Sequence, residues 1–539
     1  MVTRRRLTPP ANAAAPPYAA ATPALPSPAR ATSTGVTGRY YLQTFGCQMN
    51  VHDSDRMEEV LAQHGWTKAP DVEGADLVVF NTCSVREKAE QKLRSEVGKL
   101  APLKRLRPEL VVAVAGCVAQ QEGERLLARV PHIDLVIGPD NLEELPVLAL
   151  AQAQGASPVA RTVFDLEAPH FLAARPVAGH APASAFVTTM KGCDERCSFC
   201  IVPYTRGPER YRPASEIVAE VQRWVQAGSR EVVLLGQTVD SYRDPALPAP
   251  ASLGGERDAS EADDETQFPV LLRLLAREVP GLARLRYTSP HPRHATAALA
   301  RAHAELDVLC PHVHLPVQSG SDRMLRRMIR RYTRAEYVAR TARLQAARPG
   351  LTLSTDIIVG FPGETEEDFQ ATLSLVAEVG FTSIFAFKFS PRPHTPALKL
   401  ADDVPEGVKS ERLARLFALS EAQQQAHLAG LVGTKQRVLV EGASRRGVVP
   451  EGDEGAAAGH GAAAAAGAAV TGRTEGSDIV HVETEGRALV GEVVEVLVVQ
   501  ANKHSVVGRL TERALEALPR ARSADGAPAK KTRALPVIA

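Results

Sequence analysis

Three cysteines within one short string, Cys193-Asp194-Glu195-Arg196-Cys197-Ser198-Phe199-Cys200, carry the sharpest chemical signal in this 539-residue chain. Thiolates this close together select zinc or an iron–sulfur cluster, the soft-ligand metals. A structural zinc ion wants a fourth ligand in a closed tetrahedron, and none of the other cysteines lies nearby in sequence. Three thiolates on a four-iron cluster instead leave one iron open to a ligand. A zinc knuckle stays as the alternative reading of the spacing. Three further cysteines each follow a short β-rich run: Cys47 after Tyr40–Phe45, Cys83 after Leu77–Phe80, and Cys117 after Val111–Ala115.

The elements that carry these residues repeat as strand, helix, strand from Tyr40 to about Leu150, with helix-period stretches at Asp53–Gln63 and Val85–Leu100. Such alternation predicts a doubly wound parallel sheet, α/β in class. Ligands of these sheets bind at the carboxyl edge of the strands, so Cys47, Cys83 and Cys117 should converge there. Single buried free cysteines are common; three at successive strand ends are not easily accidental. A second series of strand–helix units runs from about Ala185 to Leu400, with polar and glycine-rich residues after each strand. That is the barrel-like arrangement in which βα loops carry function. Past a helix at Val404–Leu431, short β-runs at Gln436–Glu441, Ile479–Val482, Glu492–Gln500 and Ser505–Leu510 predict a small all-β module.

Composition narrows the class. Lys+Arg and Asp+Glu number 63 and 62, a net charge of +1, so no global field advertises a polyanion partner. The longest apolar run, Leu110 to Ala119, is about half a membrane span, which excludes an integral membrane protein. Seven cysteines in so long a chain are no disulfide scaffold, and no apolar segment follows Arg4-Arg5-Arg6 to make a signal peptide. A reducing, cytoplasmic location is expected. At this length the prior is three to four domains. Residues 1–38 are Pro/Ala-rich and read as a disordered extension, with a targeting segment as the alternative. The domains expected are 39–155 for the first sheet, 180–405 for the barrel-like region and 430–512 for the β-module, with a disordered tail at 513–539. The acidic insert Glu256–Glu265 and the Ala/Gly run Gly455–Gly467 read as surface loops.

The text around the cysteines is more specific than their spacing. Lys191-Gly192-Cys193 through Cys200-Ile201-Val202-Pro203-Tyr204-Thr205-Arg206-Gly207-Pro208-Glu209-Arg210 resembles the methylthiotransferase family of radical S-adenosylmethionine enzymes, in its tRNA branch. The likeness extends to Thr44-Phe45-Gly46-Cys47-Gln48-Met49-Asn50, to Asn81-Thr82-Cys83-Ser84-Val85-Arg86-Glu87 and to Gly116-Cys117-Val118-Ala119-Gln120, over roughly Arg39 to Leu510.

The resemblance implies two [4Fe-4S] clusters. One would sit on Cys47, Cys83 and Cys117; the other, on Cys193, Cys197 and Cys200, would bind S-adenosyl-L-methionine and generate a 5′-deoxyadenosyl radical. It implies a partial (β/α) barrel of the radical SAM type and, for the β-module, an RNA-binding TRAM barrel. From Leu431 to Leu510 eight Lys/Arg stand against ten Asp/Glu, so composition alone would not have suggested RNA. Gly236 and Gln237 end one strand, Gln318 and Ser319 another, and by resemblance these loops surround the cofactor. Gly360-Phe361-Pro362-Gly363 turns into a helix that Thr365 and Asp368 can cap. Arg323, Arg326, Arg327, Arg330, Arg331 and Arg334 crowd one helix and its end, with acidic partners nearly absent locally. Phosphate contact is one use for them, as for Arg206, Arg210 and Arg212; by resemblance one arginine here, taken as Arg331, faces the cofactor carboxylate.

The implied activity is addition of a methylthio group to carbon 2 of isopentenylated adenosine beside the anticodon. The tRNA anticodon stem-loop would be the substrate and a flavodoxin or ferredoxin the electron donor. Methylthiolation of threonylcarbamoyl adenosine or of a ribosomal-protein aspartate is the sister reading, against which Gln48-Met49-Asn50 and Ser84-Val85-Arg86 weigh. A non-enzymatic iron–sulfur RNA adaptor is the alternative of another class. Cys310 is left without a role.

Overall fold

The structure, a computed structural model, describes residues 37–85, 87–166, 169–175, 181–249, 261–262, 264–444 and 469–518. The extension up to residue 36, most of the acidic insert, the Ala/Gly run and the tail from 519 lie outside the described residues.

The first unit is a six-stranded, wholly parallel sheet. In chain order its strands are β1 (Gly38–Phe45), β2 (Trp66–Lys68), β3 (Leu77–Thr82), β4 (Val111–Gly116), β5 (Leu135–Ile137) and β6 (Val159–Arg161), arranged β2-β1-β3-β4-β5-β6. Every residue of β3 and β4 is buried, as expected for parallel strands covered on both faces. Alternate residues serve opposite faces: Val78, Phe80, Val112 and Val114 pack with Leu93 and Val97 on one side, and Leu77, Val79, Val111 and Ala113 pack with Met57 and Leu61 on the other. Three strands were not anticipated: β2, β5 and β6 have three residues each, too few to establish a period.

The central unit holds two three-stranded parallel sheets. One has β7 (Ser184–Thr188), β10 (Glu231–Leu235) and β11 (Arg284–Tyr287); the other has β12 (His312–His314), β13 (Thr352–Val359) and β14 (Ser383–Lys388). A parallel bridge between Leu285 and Leu309 joins them into one open arc. Between β7 and β10 the two-residue strands β8 (Met190–Lys191) and β9 (Arg210–Tyr211) pair antiparallel and close the cysteine loop at its base. The helix at Glu406–Gly430 lies against this unit: its Arg412 Nη1 donates to Glu364 Oε2 at 2.8 Å. The expected boundary at 405 therefore cuts a helix away from its packing partner.

The third unit is a closed five-stranded barrel of β15 (Lys435–Ala443), β16 (Ala469–Thr474), β17 (Ile479–Glu483), β18 (Val493–Ala501) and β19 (Val506–Leu510), in the order β15-β16-β17-β19-β18. Strand β16 was not read from sequence, because it emerges directly from the Ala/Gly run. The expected disordered tail begins too early. Thr511 caps a helix at Glu512–Ala517, accepting a bond from the Ala514 N–H, and Ala514 packs into the barrel core.

The barrel docks under the amino ends of the central strands. Arg284 Nη1 and Nη2 donate to the Arg473 and Arg437 carbonyls at 2.9 and 2.6 Å, and Arg286 donates to Glu475 O, Thr474 O and Ser477 Oγ at 2.8 to 3.0 Å. Glu231 holds Arg286 from the sheet side at 2.8 Å.

Candidate functional site

Strand register brings the first three cysteines together. Phe45 pairs with Thr82 and Thr82 pairs with Gly116, so the three chain exits stand side by side at one edge. Adjacent strands are about 4.8 Å apart, and Cys83 and Cys117 are each the next residue. Helix α1 (Gln48–Gln63) starts immediately after Cys47, and α2 (Cys117–Glu122) starts at Cys117 itself. Free backbone N–H groups at helix starts favour a thiolate. Gly46 is required here by close approach: a Cβ on it would lie 2.5 Å from Cys83 Cβ.

Beneath the thiols lies a buried amide network that the sequence reading did not single out. Cys47 Sγ donates to Asn50 Oδ1 at 3.3 Å, Asn50 Nδ2 donates to Asn81 Oδ1 at 3.1 Å, and Asn81 Nδ2 returns to the Asn50 carbonyl at 2.8 Å and to Ser54 Oγ at 2.9 Å. Asn50 and Asn81 are wholly buried. The signal for them was present, since both stand in the strings quoted around Cys47 and Cys83.

The thiols are electrostatically uneven. A hydrogen bond from Cys83, reinforced by the Asn50 and Met49 backbone and by Arg206, pulls Cys47 down to about 6. Cys83 is pushed well up, chiefly because it holds the proton in that bond. Burial raises Cys117. A thiolate is therefore costly at Cys83 and Cys117, whereas metal ligation removes the proton outright.

The other three cysteines occupy the loop that β8 and β9 close. Cys193 and Cys197 are buried and Cys200 is partly so. Cys193 Sγ lies 2.9 Å from Thr238 Oγ1, and Arg330 Nη1 donates to Cys197 Sγ at 3.3 Å. Burial pushes Cys193 up and Cys200 to about 12. Gly192, at φ +79, leaves room for none but glycine, because a Cβ there would meet Pro208 O at 1.9 Å.

Both sets fit iron–sulfur ligation. All six cysteines are free. The hydroxyls of Thr82 and Ser84, flanking Cys83, are buried without a hydrogen-bond partner, as are Glu195 Oε2, Asp240 Oδ2 and His291 Nε2 in the central unit. Among the described residues no three His, Cys, Asp or Glu side chains are arranged to hold a single metal ion. The thiolates of a four-iron cluster bind separate irons, so such close convergence on one point is not needed.

The other expected site residues scatter. Gly236 packs against Met190, where a Cβ would lie 2.8 Å from Met190 Cγ, and Gln237 Oε1 accepts from the Gly192 N–H at 2.6 Å, shaping the cysteine loop. Gln318 sits at φ +72, with its carbonyl accepting from Ile358 N–H at 3.0 Å. Ser319 is wholly buried against Thr372, 3.4 Å away, facing a helix rather than open space.

Arg331 has a side chain 48% exposed and lies 3.9 Å from Glu195, whereas its neighbour Arg330 is buried beside Cys197. The arginine run is not one free basic face. Arg323 and Arg334 find carboxylates on the helix Glu366–Val379, namely Asp368 and Glu378, which sequence distance concealed. Thr365 and Asp368 do form the capping box of that helix.

Arg206, Arg210 and Arg212, read as candidates for phosphate, are all buried and spent within the chain on Asp53, Asp140 and Glu220. Glu195, Asp240 and His291 were not anticipated. The His291 N–H donates to Asp240 Oδ1 at 2.8 Å, and burial raises Asp240 well above the carboxylate range while lowering His291. Cys310 is buried just ahead of β12. No described helix is long and apolar enough to cross a membrane.

Comparison with known proteins accords with this architecture. Residues 39–138 match the family model described as uncharacterized protein family UPF0004, and residues 187–376 match the radical SAM superfamily, whose members use S-adenosylmethionine with a [4Fe-4S] cluster. The chain is 62% identical over 509 residues, 93% of its length and 99% of the relative's, to tRNA-2-methylthio-N(6)-dimethylallyladenosine synthase of Sorangium cellulosum (strain So ce56). It is 45% identical, over 89% of its length and 94% of the relative's, to the protein of the same name from Bordetella bronchiseptica (strain ATCC BAA-588 / NCTC 13252 / RB50). From Acidithiobacillus ferrooxidans (strain ATCC 53993 / BNL-5-31) another protein of that name is 48% identical, over 75% and 87% respectively. Two triads of cysteines at two sheet edges, in a chain this close to those relatives, mean that it belongs to the tRNA-2-methylthio-N(6)-dimethylallyladenosine synthase family of radical SAM enzymes.

Proposed function

We propose that this chain adds a methylthio group to carbon 2 of isopentenylated adenosine in the anticodon stem-loop of tRNA. The observation that carries the proposal is 62% identity across 93% of the chain to a synthase of that name, with both cysteine triads intact. Cys193, Cys197 and Cys200 would hold the cluster that binds S-adenosylmethionine, and Cys47, Cys83 and Cys117 a second [4Fe-4S] cluster that holds the sulfur. When bound, these groups supply radical chemistry at an unactivated carbon–hydrogen bond, which acid–base side chains cannot break.

The chain's own part is to position and to keep dry. Gln237 and Thr238 fix the cysteine loop from the end of β10. Arg330 braces Cys197 through Nη1 and the Pro316 carbonyl through Nη2. Buried atoms left without a hydrogen bond mark where a ligand would satisfy them; Glu195 Oε2, Asp240 Oδ2 and His291 Nε2 are three such atoms on the loops of the central sheet. Burial pushes the Asp240 carboxyl well above the usual carboxylate range, which favours a hydrogen-bond donor at that position. Gly236, Gln318, Ser319 and Arg331 remain candidates for the cofactor surroundings, the first two through backbone groups. The β-barrel would contribute to binding RNA by shape, and a small flavodoxin- or ferredoxin-type protein would supply electrons. Mass spectrometry of tRNA nucleosides from a strain lacking this protein tests the reading. Loss of the 2-methylthio derivative with accumulation of its isopentenylated precursor is expected, and an unchanged nucleoside profile would refute it.

A further inference from the structure

Arg206 belongs to the loop that carries Cys193, Cys197 and Cys200, yet its side chain reaches the other triad. Nε donates to Cys117 Sγ at 3.3 Å, and Nη2 donates to Asp53 Oδ2 on α1 at 2.6 Å. The residue is 4% exposed. Its carbonyl accepts from Arg210 Nη2 at 2.7 Å, and the next carbonyl, of Gly207, accepts from the Cys193 N–H at 3.1 Å. Both thiol sites are thus tied to one short stretch of backbone.

A buried guanidinium is costly unless paired, and Asp53 alone would pair it. The additional N–H aimed at sulfur is what an ordinary interdomain ion pair does not need. A donor and a positive charge beside a cluster's sulfur ligand favour the more reduced, more negative state and so raise the reduction potential.

We infer that Arg206 is a positioning residue of the amino-terminal thiolate site, setting the orientation of Cys117 and the potential of the cluster held there. The inference rests on the two-cluster reading given above. It concerns how the loop of one cluster controls the other, and it assigns Arg206 no contact with substrate.

The test is a redox titration followed by electron paramagnetic resonance on full-length, anaerobically reconstituted protein. The signal that added S-adenosylmethionine leaves unchanged belongs to the amino-terminal site. In Arg206→Gln, iron content should stay at the wild-type level while the midpoint of that signal moves to more negative potential. Arg206→Lys keeps the charge but loses the fork that grips Asp53 and Cys117 together, so a smaller shift in the same direction is expected. Equal potentials in wild type and both variants, with or without loss of iron or of soluble protein, would make Arg206 an interdomain strut only and overturn the inference. A wild-type protein with a single cluster would overturn both this inference and the reading beneath it.

Discussion

Arg330 and Cys197 are joined inside the central unit by a hydrogen bond of 3.3 Å from guanidinium to sulfur, and the same guanidinium lies over the Tyr332 ring and donates to its hydroxyl at 2.9 Å. Arg206 makes the matching contact to Cys117. Each thiol triad therefore has one buried arginine, and each arginine is anchored by a second partner that fixes its aim.

Arg330 and the adjacent Arg331 should respond differently to substitution. Arg330→Gln removes bonds to Cys197, Tyr332 and Pro316 at a buried site and should destabilise the protein by about 2–4 kcal/mol. Arg331→Gln, with a side chain 48% exposed, should change stability by less than about 0.5 kcal/mol. Denaturant unfolding of the two cluster-free variants beside wild type measures this, and equal losses would mean that the burial difference is not felt.

Cys197→Ala should abolish 5′-deoxyadenosine formation and leave about four irons, those of one intact cluster. Iron and sulfide analysis with a cofactor-cleavage assay checks both halves.

Cys83→Ala should give the opposite separation. Cofactor cleavage should persist while methylthio product disappears, because Cys83 lies outside the cysteine loop of the central unit. Normal methylthiolation by this variant would remove the sulfur-holding role from the amino-terminal triad.

Removing the β-barrel should weaken stem-loop binding far more than it slows cofactor cleavage. The cut belongs after Gly433 rather than near Val404, since the helix Glu406–Gly430 packs on the central unit through Arg412 and Glu364. The barrel's near-neutral charge predicts a moderate salt dependence for its contribution. Binding of the stem-loop at several salt concentrations, with and without residues 434–539, decides it, and undiminished binding by the shortened chain would leave RNA recognition to the central unit.

His303 predicts acid sensitivity of the central unit. Burial holds its imidazole down at about 3, with Nε2 2.8 Å from the Tyr287 hydroxyl. The unfolded chain titrates near 6.5, so between those values it binds the extra proton. Stability is then full above about 6.5 and falls as pH drops toward 3. Melting temperatures of cluster-free wild type and His303→Gln between pH 5 and 7.5 should show a shallower pH slope in the variant; parallel slopes would exclude His303 as a source.

The parts of this architecture that were legible in the sequence are those written in consecutive residues. Strands β3, β4 and β10 are near-continuous apolar runs, and each ends at a glycine or cysteine that marks the functional edge. The convergence of Cys47, Cys83 and Cys117 followed from strand order alone. What was hidden depends on contacts across long separations. Nothing near Arg323 or Arg334 announces Asp368 or Glu378, and nothing in the charge run distinguishes a buried Arg330 from an exposed Arg331 one residue on. Arg206, Arg210 and Arg212 read as surface cations until burial shows them joined to carboxylates of other elements. The docking of the barrel by Arg284 and Arg286 uses backbone carbonyls, which carry no residue signature.

The central claim is tested most directly by incubating anaerobically reconstituted wild-type protein with S-adenosylmethionine, a reductant and an anticodon stem-loop containing isopentenylated adenosine, and then analysing the nucleosides by mass spectrometry. A methylthio group at carbon 2 of that adenosine, formed by wild type and not by Cys83→Ala or Cys197→Ala, is the result this account predicts. Cofactor cleavage that leaves the isopentenylated adenosine unchanged, while a stem-loop with threonylcarbamoyl adenosine or a ribosomal-protein aspartate gains the group, would contradict it.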